Sequence, residues 1–145
     1  MIQWRHLANR TPPVQAGSSQ AAQAASLFDR FAAAFATFDA GNLLPLFATP
    51  GVVLRQDSTT IALTTQDDIR RYYQTALDRY RNDGCHSCNW TDLHVTPMGN
   101  ASMLASVTWD LRRADRTSML RWRQSYSLCS THDGPRIFAS ARHAE

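Results

Sequence analysis

Two short motifs in this 145-residue chain have the spacing of metal ligands. Cys85 and Cys88 form a C-x-x-C, and Cys129 and His132 form a C-x-x-H, so together they supply the thiolates and imidazole that structural zinc sites use. The strand pattern places the two motifs at opposite ends of a sheet, about 30 Å apart at roughly 3.3 Å per residue. We therefore expect no metal site and no cofactor, and we interpret the cysteines as reduced thiols.

Acid–base chemistry has two candidate groups. Tyr126 falls in a predicted strand, and a buried phenol needs a hydrogen-bond partner that a ligand can supply. His143 is the one histidine near a predicted strand that could serve as an acid or base, if it points inward with Ile137 and Ala139, although its place near the C-terminus also fits a frayed, exposed residue. Tyr126 and His143 are thus the candidate catalytic residues, and no acid–base pair is recognisable by spacing.

The elements that must position these groups run in the order helices, then strands. Apolar residues recur at three- and four-residue steps from Ala21 to about Phe38, and a second helix follows the N-cap Thr65 and ends near Asn82. The predicted strands are a hairpin, Val52–Arg55 and Thr60–Leu63, and a meander, Asn89–Pro97, Ser102–Arg113, Ser118–Ser130 and Arg136–His143. This order predicts an α+β fold with helices packed on one strongly curved, mostly antiparallel sheet.

Strand alternation predicts which polar and aromatic side chains face the helices. An apolar concavity with a few polar groups is the usual design of a small-molecule site. Plain core packing is the alternative for the tryptophans. The candidate ligand-binding residues are Tyr72 and Tyr73 from the second helix and Trp109, Trp122 and Gln124 from the strands, beside Tyr126.

The charge pattern gives little support for a polyanionic partner. The net charge is +3, and all 15 basic residues are arginine. The densest group surrounds one predicted hairpin, where Trp122 alternates with its arginine neighbours and should face away from them. We interpret it as a solvated hairpin rather than a nucleic-acid surface. Its members are Arg112, Arg113, Arg116, Arg121 and Arg123. Asp110 should lie on the same outer face, near Arg121 or Arg123.

The ends of the chain set the predicted domain boundaries. Residues 1–20 contain prolines, glycine and serines without an apolar period, which predicts a flexible arm ahead of one domain over residues 21–145. No apolar run is long enough to span a membrane, and Met1–Arg10 lacks the apolar segment of a secretory signal. We expect a cytoplasmic protein without membrane contact.

Local motifs add a family resemblance. The segment from Phe38 to Phe47 (FDAGNLLPLF), the hairpin that starts at Gly51 (GVVL), the second capped helix and a meander that closes on Arg136-Ile137-Phe138 resemble the nuclear transport factor 2-like superfamily. This is the cystatin-like α+β cone of SnoaL-like polyketide cyclases, ketosteroid isomerases and many small bacterial proteins. The resemblance covers roughly residues 21 to 143.

The resemblance implies a pocket between helices and sheet, and a homodimer formed through the sheet face. Ketosteroid isomerases place a catalytic Asp near the end of the first hairpin strand. This chain has Arg55 and Gln56 there, and Asp57 comes one or two residues late. The general base of that reaction is therefore not expected to carry over.

Two functions stay open on the sequence. One is a pocket for an apolar small molecule, with SnoaL-like proton-transfer, dehydration or cyclisation chemistry assisted by Tyr73, Tyr126 or His143. The other is a non-catalytic homodimeric module that binds a ligand or another protein. The sequence does not decide whether the protein is an enzyme.

Overall fold

The computed structural model of the protein describes the backbone of residues 13–144 and the side chains of residues 19–144. Within this range the elements are α1 (Pro13–Phe35), two 3-10 turns (Ala40–Asn42 and Leu44–Leu46), β1 (Phe47–Leu54), β2 (Thr60–Leu63), α2 (Gln66–Asn82), β3 (Ser87–Met98), β4 (Ser102–Arg112), β5 (Ser118–Thr131) and β6 (Gly134–Arg142). Helices come first and a long meander follows, which confirms the predicted α+β class.

The six strands form one curled sheet in the order β2-β1-β6-β5-β4-β3. All neighbouring pairs are antiparallel except β1 and β6, which are parallel. β1 and β6 are neighbours because β6, the last strand of the meander, lies beside the first hairpin. The sheet is therefore mostly antiparallel, as predicted.

The helix α1 packs on the sheet through an aromatic stripe. Phe28, Phe31 and Phe35 recur at helical spacing and are buried, while Asp29 and Arg30 on the other side are exposed. A side-chain bond also anchors the helix to β3, because Trp90 Nε1 donates to Asp29 Oδ1 at 3.0 Å. The stripe thus covers the inner face of the sheet and closes the core on the helical side.

The start of α1 differs from the sequence prediction. The helix begins at Pro13 rather than Ala21, so residues 13–20, which we expected in a flexible arm, are helical. Gln20 is buried, and its Nε2 donates to the carbonyl oxygen of Gly99 at 3.0 Å. This tie to the β3–β4 turn supplies a tertiary contact that a helical pattern search does not detect. Residues 1–12 of the expected arm lie outside the described residues.

One extra residue in β6 changes which side chains face inward. Ser127 pairs with Ala139 and the next residue, Leu128, pairs with Ile137, so Phe138 is a β-bulge. Gly51 lies against this bulge, and a Cβ there would be only 3.3 Å from the Phe138 carbonyl oxygen. After the bulge the alternation along β6 is shifted by one residue relative to an unbroken strand.

A capping box starts α2, as predicted. The Thr65 side chain accepts from the backbone N–H of Asp68, and the Asp68 carboxylate accepts from the backbone N–H of Thr65. The same carboxylate accepts from the Thr64 hydroxyl at 2.8 Å and from its N–H at 3.0 Å. These bonds, that of the Thr64 side chain first, lower the pKa of Asp68 from 3.8 to about 2.

We predict that Asp68→Asn lowers the Tm at neutral pH and that its deficit disappears in acid. The folded-state pKa lies below the unfolded value, so the stabilisation is complete above pH 3.8 and is lost as the pH falls through about 2. Thermal melts of both proteins between neutral pH and pH 2 measure this. Asp67→Asn, which loses only an exposed pair with Arg71, is the control and should have a smaller effect. A deficit that is constant with pH would contradict the assignment.

Candidate functional site

A cavity of about 410 Å³ lies between the two helices and the inner face of the sheet. Its interior is apolar and aromatic, with Phe31, Phe35 and Leu77 from the helices facing Val53 and Leu111 from the strands. The volume is within the range of ligand pockets. The fold therefore provides room for a small organic molecule.

Six of the seven predicted site residues line this cavity. The two helical tyrosines come from α2, and the others come from the inner faces of β4 and β5, where the predicted alternation is confirmed by the register. The residues are Tyr72, Tyr73, Trp109, Trp122, Gln124 and Tyr126.

Tyr126 is a buried phenol on the inner face of the sheet. Its Oη accepts from Trp109 Nε1 at 2.7 Å, so one oxygen lone pair is used and the hydroxyl hydrogen has no acceptor among the described residues. Burial raises the pKa of Tyr126 well above its ordinary value of 10.0. The phenol is therefore neutral at physiological pH and can donate a hydrogen bond to a ligand atom in the cavity.

Tyr73 and Tyr72 form a second phenol pair. Their rings meet edge to face with centroids 5.0 Å apart, and Tyr73 also packs on Phe47 at 4.9 Å. Burial raises the pKa of both hydroxyls, most strongly for Tyr73 in the interior. Both phenols remain protonated near neutral pH, so neither is a general base in the resting protein.

Trp122 and Gln124 lie side by side on β5 nearer the mouth. Trp122 Nε1 donates to Gln124 Oε1 at 2.8 Å, which orients the amide with its NH₂ group free to donate. The indole also stacks with Tyr80 of α2, with centroids 6.1 Å apart and planes at 24°. Aromatic contacts thus join α2 to β5 at the side of the cavity.

His143 lies outside the cavity, which corrects our prediction of an inward catalytic histidine. Its Nε2 is 2.7 Å from the hydroxyl of Ser125, which in turn is 2.6 Å from that of Ser106 on the outer face. The cause is the bulge at Phe138. Because alternation is shifted after this residue, Ser140 and Arg142 point inward and His143 points outward.

Three arginines at the cavity were not among the predicted site residues. Arg142 of β6, Arg79 of α2 and Arg55 after β1 all contribute to its lining. Arg55 was noted only as a departure from the isomerase pattern. Arg79 follows Tyr72 by seven residues, which is two helical turns, and this spacing is a signal that the sequence contains. Arg142, in contrast, needs the bulge to reach the inner face.

Carboxylates are confined to the edge of the cavity. Asp57 contributes to the lining from the exposed β1–β2 turn, where its Oδ1 accepts from the side chain and the backbone N–H of Thr59 at 2.6 and 3.0 Å. These bonds, the side-chain one first, lower the pKa of Asp57. It is therefore an ionised, locally held group and does not occupy the interior position of an isomerase base.

Asp110 occupies a different environment from the one we expected. It lies on the outer face opposite Arg121, as expected, but it is buried, and the groups that it bonds are Arg112 at 3.0 Å and the Ser118 hydroxyl at 2.6 Å. Burial raises its pKa, yet the bonds from Ser118 and Arg112 outweigh this and lower it overall. The predicted face and the neighbouring Arg121 are thus confirmed, whereas the predicted exposure is wrong, because strand alternation does not show which side chains cover a residue.

The arginines near the β4–β5 hairpin are mostly held by the chain itself. Arg112 pairs with Asp110, Arg113 donates to the Ser118 carbonyl oxygen at 3.1 Å, and Arg123 donates to the Asp92 carbonyl oxygen at 2.7 Å. These bonds orient side chains along the sheet. Rejection of a nucleic-acid partner stays a prediction.

The two cysteine motifs lie far apart along the sheet. Cys88 pairs with Leu111 at one end of β4, whereas Cys129 pairs with Ser102 at the other end of the same strand. Cys88 contributes to the cavity lining, and burial raises its pKa and that of Cys85. The separation argues against joint metal ligation, and the buried thiols are poor nucleophiles.

We predict that iodoacetamide modifies Cys129 before Cys85 and Cys88 in the folded protein. Cys129 is partly exposed, while the other two are buried with raised pKa values. Mass mapping of modified peptides over time measures the order, and labelling in denaturant, where the three should react alike, is the control. Equal rates in the folded protein would contradict the burial that the structure shows.

Comparison with known proteins gives the family context of this geometry. The model of a family described as NTF2-like protein (DUF6841) matches residues 21–145. No curated protein matches the chain. Of the helices that the structure describes, neither combines the length and hydropathy needed to cross a bilayer.

Solved structures share the fold at low identity. An NTF2-like protein with a cystatin-like fold from Novosphingobium aromaticivorans is 18% identical, with a TM-score of 0.64 over 81% of this chain and 76% of that one. A proposed dehydratase of the NTF2-like family from Streptomyces avermitilis is 12% identical, with a TM-score of 0.64 over 89% and 98%. A proposed aromatic ring hydroxylase from Novosphingobium aromaticivorans is 16% identical, with a TM-score of 0.65 over 93% and 92%. At these identities the likeness establishes the fold alone.

Proposed function

The chain belongs to the NTF2-like protein family DUF6841, and from this premise we propose that it binds an apolar small molecule with a carbonyl group in the cavity between helices and sheet. The observation that carries the proposal is the free hydroxyl hydrogen of Tyr126 in a cavity of about 410 Å³ with an aromatic interior. An unpaired buried donor costs free energy, and a ligand oxygen would recover it.

The chemistry that this arrangement would assist is polarisation of the carbonyl. A neutral phenol that donates to a carbonyl oxygen stabilises negative charge that develops there in proton transfer, dehydration or cyclisation. The lining contains no interior carboxylate among the described residues, so a basic group would come from the substrate, from water or from Asp57 at the edge. The fold relative described as a proposed dehydratase supports this class of reaction. We propose ligand binding first, and catalytic turnover as a further activity of the same cavity.

Tyr126→Phe should weaken binding of aromatic ketones about two- to tenfold, the worth of one neutral hydrogen bond. Binding of the matched hydrocarbons, which have no carbonyl oxygen, should be unchanged. Fluorescence titration measures both, because Trp109 and Trp122 line the cavity. Tyr72→Phe is the control, since this phenol is only half-buried and we place the carbonyl beside Tyr126.

Two results would overturn the proposal. One is that no ketone or hydrocarbon of suitable size binds. The other is that Tyr126→Phe changes ketone and hydrocarbon affinities equally, because the hydroxyl would then act through packing. Native mass spectrometry of the purified protein complements the titration by detecting any organic molecule that copurifies in the cavity.

A second proposal concerns assembly, and it rests on apolar side chains that the outer sheet face exposes. Val52, Leu104 and Phe138 are each more than a third exposed on this face. The register places Leu104 in one row with Ser127, Ala139 and Val52 across four strands. The large apolar side chains stand at the two ends of this row, and the small residues between them leave room for side chains of a partner. Exposed apolar side chains grouped on one face are typical of a protein interface. We propose that this face pairs with a second copy of the chain.

Leu104→Asp should convert the proposed homodimer to monomer, with a dissociation constant raised about tenfold or more, because a buried carboxylate would be desolvated. Native mass spectrometry over a concentration series measures this. Ala33→Asp, on the exposed side of α1, is the control and should leave assembly unchanged. A wild-type protein that is monomeric at high concentration would refute the pairing without affecting the cavity proposal.

A further inference from the structure

We propose that the ligand of the cavity carries a carboxylate, which binds Arg142 at the mouth while the apolar body of the ligand lies in the interior. The inference rests on the proposed function, since it assumes that the cavity holds a small molecule. It goes further by naming a charged group on that molecule and the residue that selects it.

The first observation is an unpaired buried donor on Arg142. Its Nε atom is shielded from solvent and has no hydrogen-bond partner among the described residues. A guanidinium N–H that loses water without gaining an acceptor costs more than a neutral group does, so such groups usually have partners. Arg142 also lines the cavity. A ligand acceptor in the cavity would meet the Nη–H groups of this guanidinium, and its negative charge would offset the cost of the unpaired Nε–H.

The second observation is that the guanidinium is held in place. The Cζ atom of Arg142 lies 4.8 Å from the ring centroid of Trp122, and this indole is oriented by its hydrogen bond to Gln124. Gln124 is also the register partner of Arg142 on the neighbouring strand. A stacked guanidinium loses little conformational freedom on binding, so its planar N–H edge is prepared for a planar acceptor.

The third observation is that positive charge converges on the mouth. Arg55, Arg79 and Arg142 are all close enough to the Tyr72 hydroxyl to act on its pKa by Coulombic attraction, although burial is the larger influence and raises it. The three residues come from a loop, a helix and a strand that are distant in sequence. The fold thus brings three cations to the lining of one cavity.

Nearby acids do not neutralise this group. The ion pairs seen within residues 19–144 use Arg71, Arg112 and Arg136, and none uses a cavity arginine. Asp57 accepts from Thr59 at the edge, and Asp83 lies on the adjoining shallow groove that also includes Arg79 and Arg142. The mouth therefore keeps an excess of positive charge that suits an anionic ligand.

A carboxylate fits these features better than a phosphate or a polyanion. The two Nη groups of a guanidinium present parallel N–H donors, which match the two oxygens of a carboxylate in an end-on bidentate pair. The interior beyond the mouth is aromatic, and its polar groups are single phenol hydroxyls, so it suits the uncharged part of the ligand. The expected ligand is an arylalkanoic or similar amphipathic acid.

The test compares each of several acids with its own primary amide, for example phenylbutyric, naphthylacetic and indoleacetic acids. The pairs match in shape and differ in charge. At neutral pH and low salt the acid should bind wild-type protein about tenfold or more tightly than the amide, which is the fold-change expected for charged hydrogen bonds. Added salt should weaken binding of the acid and leave binding of the amide unchanged.

Variants assign the preference to one residue. Arg142→Gln should abolish the preference for the acid and retain amide binding. Arg142→Lys keeps the charge but loses the parallel N–H donors of the guanidinium, so it should retain part of the preference for the acid. Arg70→Gln removes an exposed arginine of α2 that is outside the cavity and should retain all of it. Amide binding to each variant also shows that its cavity is intact.

The outcomes separate this inference from the proposal on which it rests. Equal binding of acid and amide to wild-type protein would overturn the carboxylate and leave the apolar pocket standing. A preference that persists in Arg142→Gln would overturn the role of Arg142. Failure of every acid and every amide to bind would overturn both proposals. The wild-type comparison remains decisive even if an Arg142 variant fails to fold.

Discussion

The inner face of this protein depends on the bulge at Phe138, where one extra residue in β6 shifts every later side chain to the opposite face. An unbroken strand would place His143 in the cavity and Arg142 outside. With the bulge, Ser140 and Arg142 face the helices, and His143 joins Ser125 on the outer surface. The side-chain-free surface of Gly51 permits this geometry, because a Cβ would crowd the carbonyl oxygen of Phe138.

Electrostatically, the site separates neutral donors inside from cations at the edge. Tyr126 is buried and Tyr73 is partly buried, and burial raises the pKa of both phenols, so they contribute dipoles without charge. Arg55 and Arg79 are exposed and Arg142 is partly exposed, and the aromatic face of Trp122 supports the Arg142 guanidinium. A charged group in the aromatic interior would lose its hydration without compensation, so neutral donors lie inside and the cations lie at the edge.

The packing of α1 and α2 on the sheet explains why a cavity exists at all. Phe28 fills one part of the cone through contacts with Trp109 and Tyr126, at centroid distances of 5.9 and 5.2 Å. Nearer the mouth, the separation of α2 from β5 is bridged by the stack of Tyr80 on Trp122 rather than filled by aliphatic side chains. One aromatic layer between the helices and the sheet is therefore filled near Phe28 and open near Tyr80 and Trp122.

Periodicity in the sequence determined the helices, the meander and the inward side chains of β4 and β5, because each of these elements has a regular repeat over many residues. Trp109, Trp122, Gln124 and Tyr126 were placed correctly on that basis, and the local capping signal located Thr65. Tertiary structure alone decided the start of α1, the burial of Asp110 and the facing of Arg142 and His143. The start of α1 depends on a hydrogen bond to a distant turn, the burial of Asp110 depends on neighbouring side chains, and the facing of Arg142 and His143 depends on a one-residue bulge. These features arise from contacts between distant segments. They do not repeat along the chain, so a local sequence pattern does not show them.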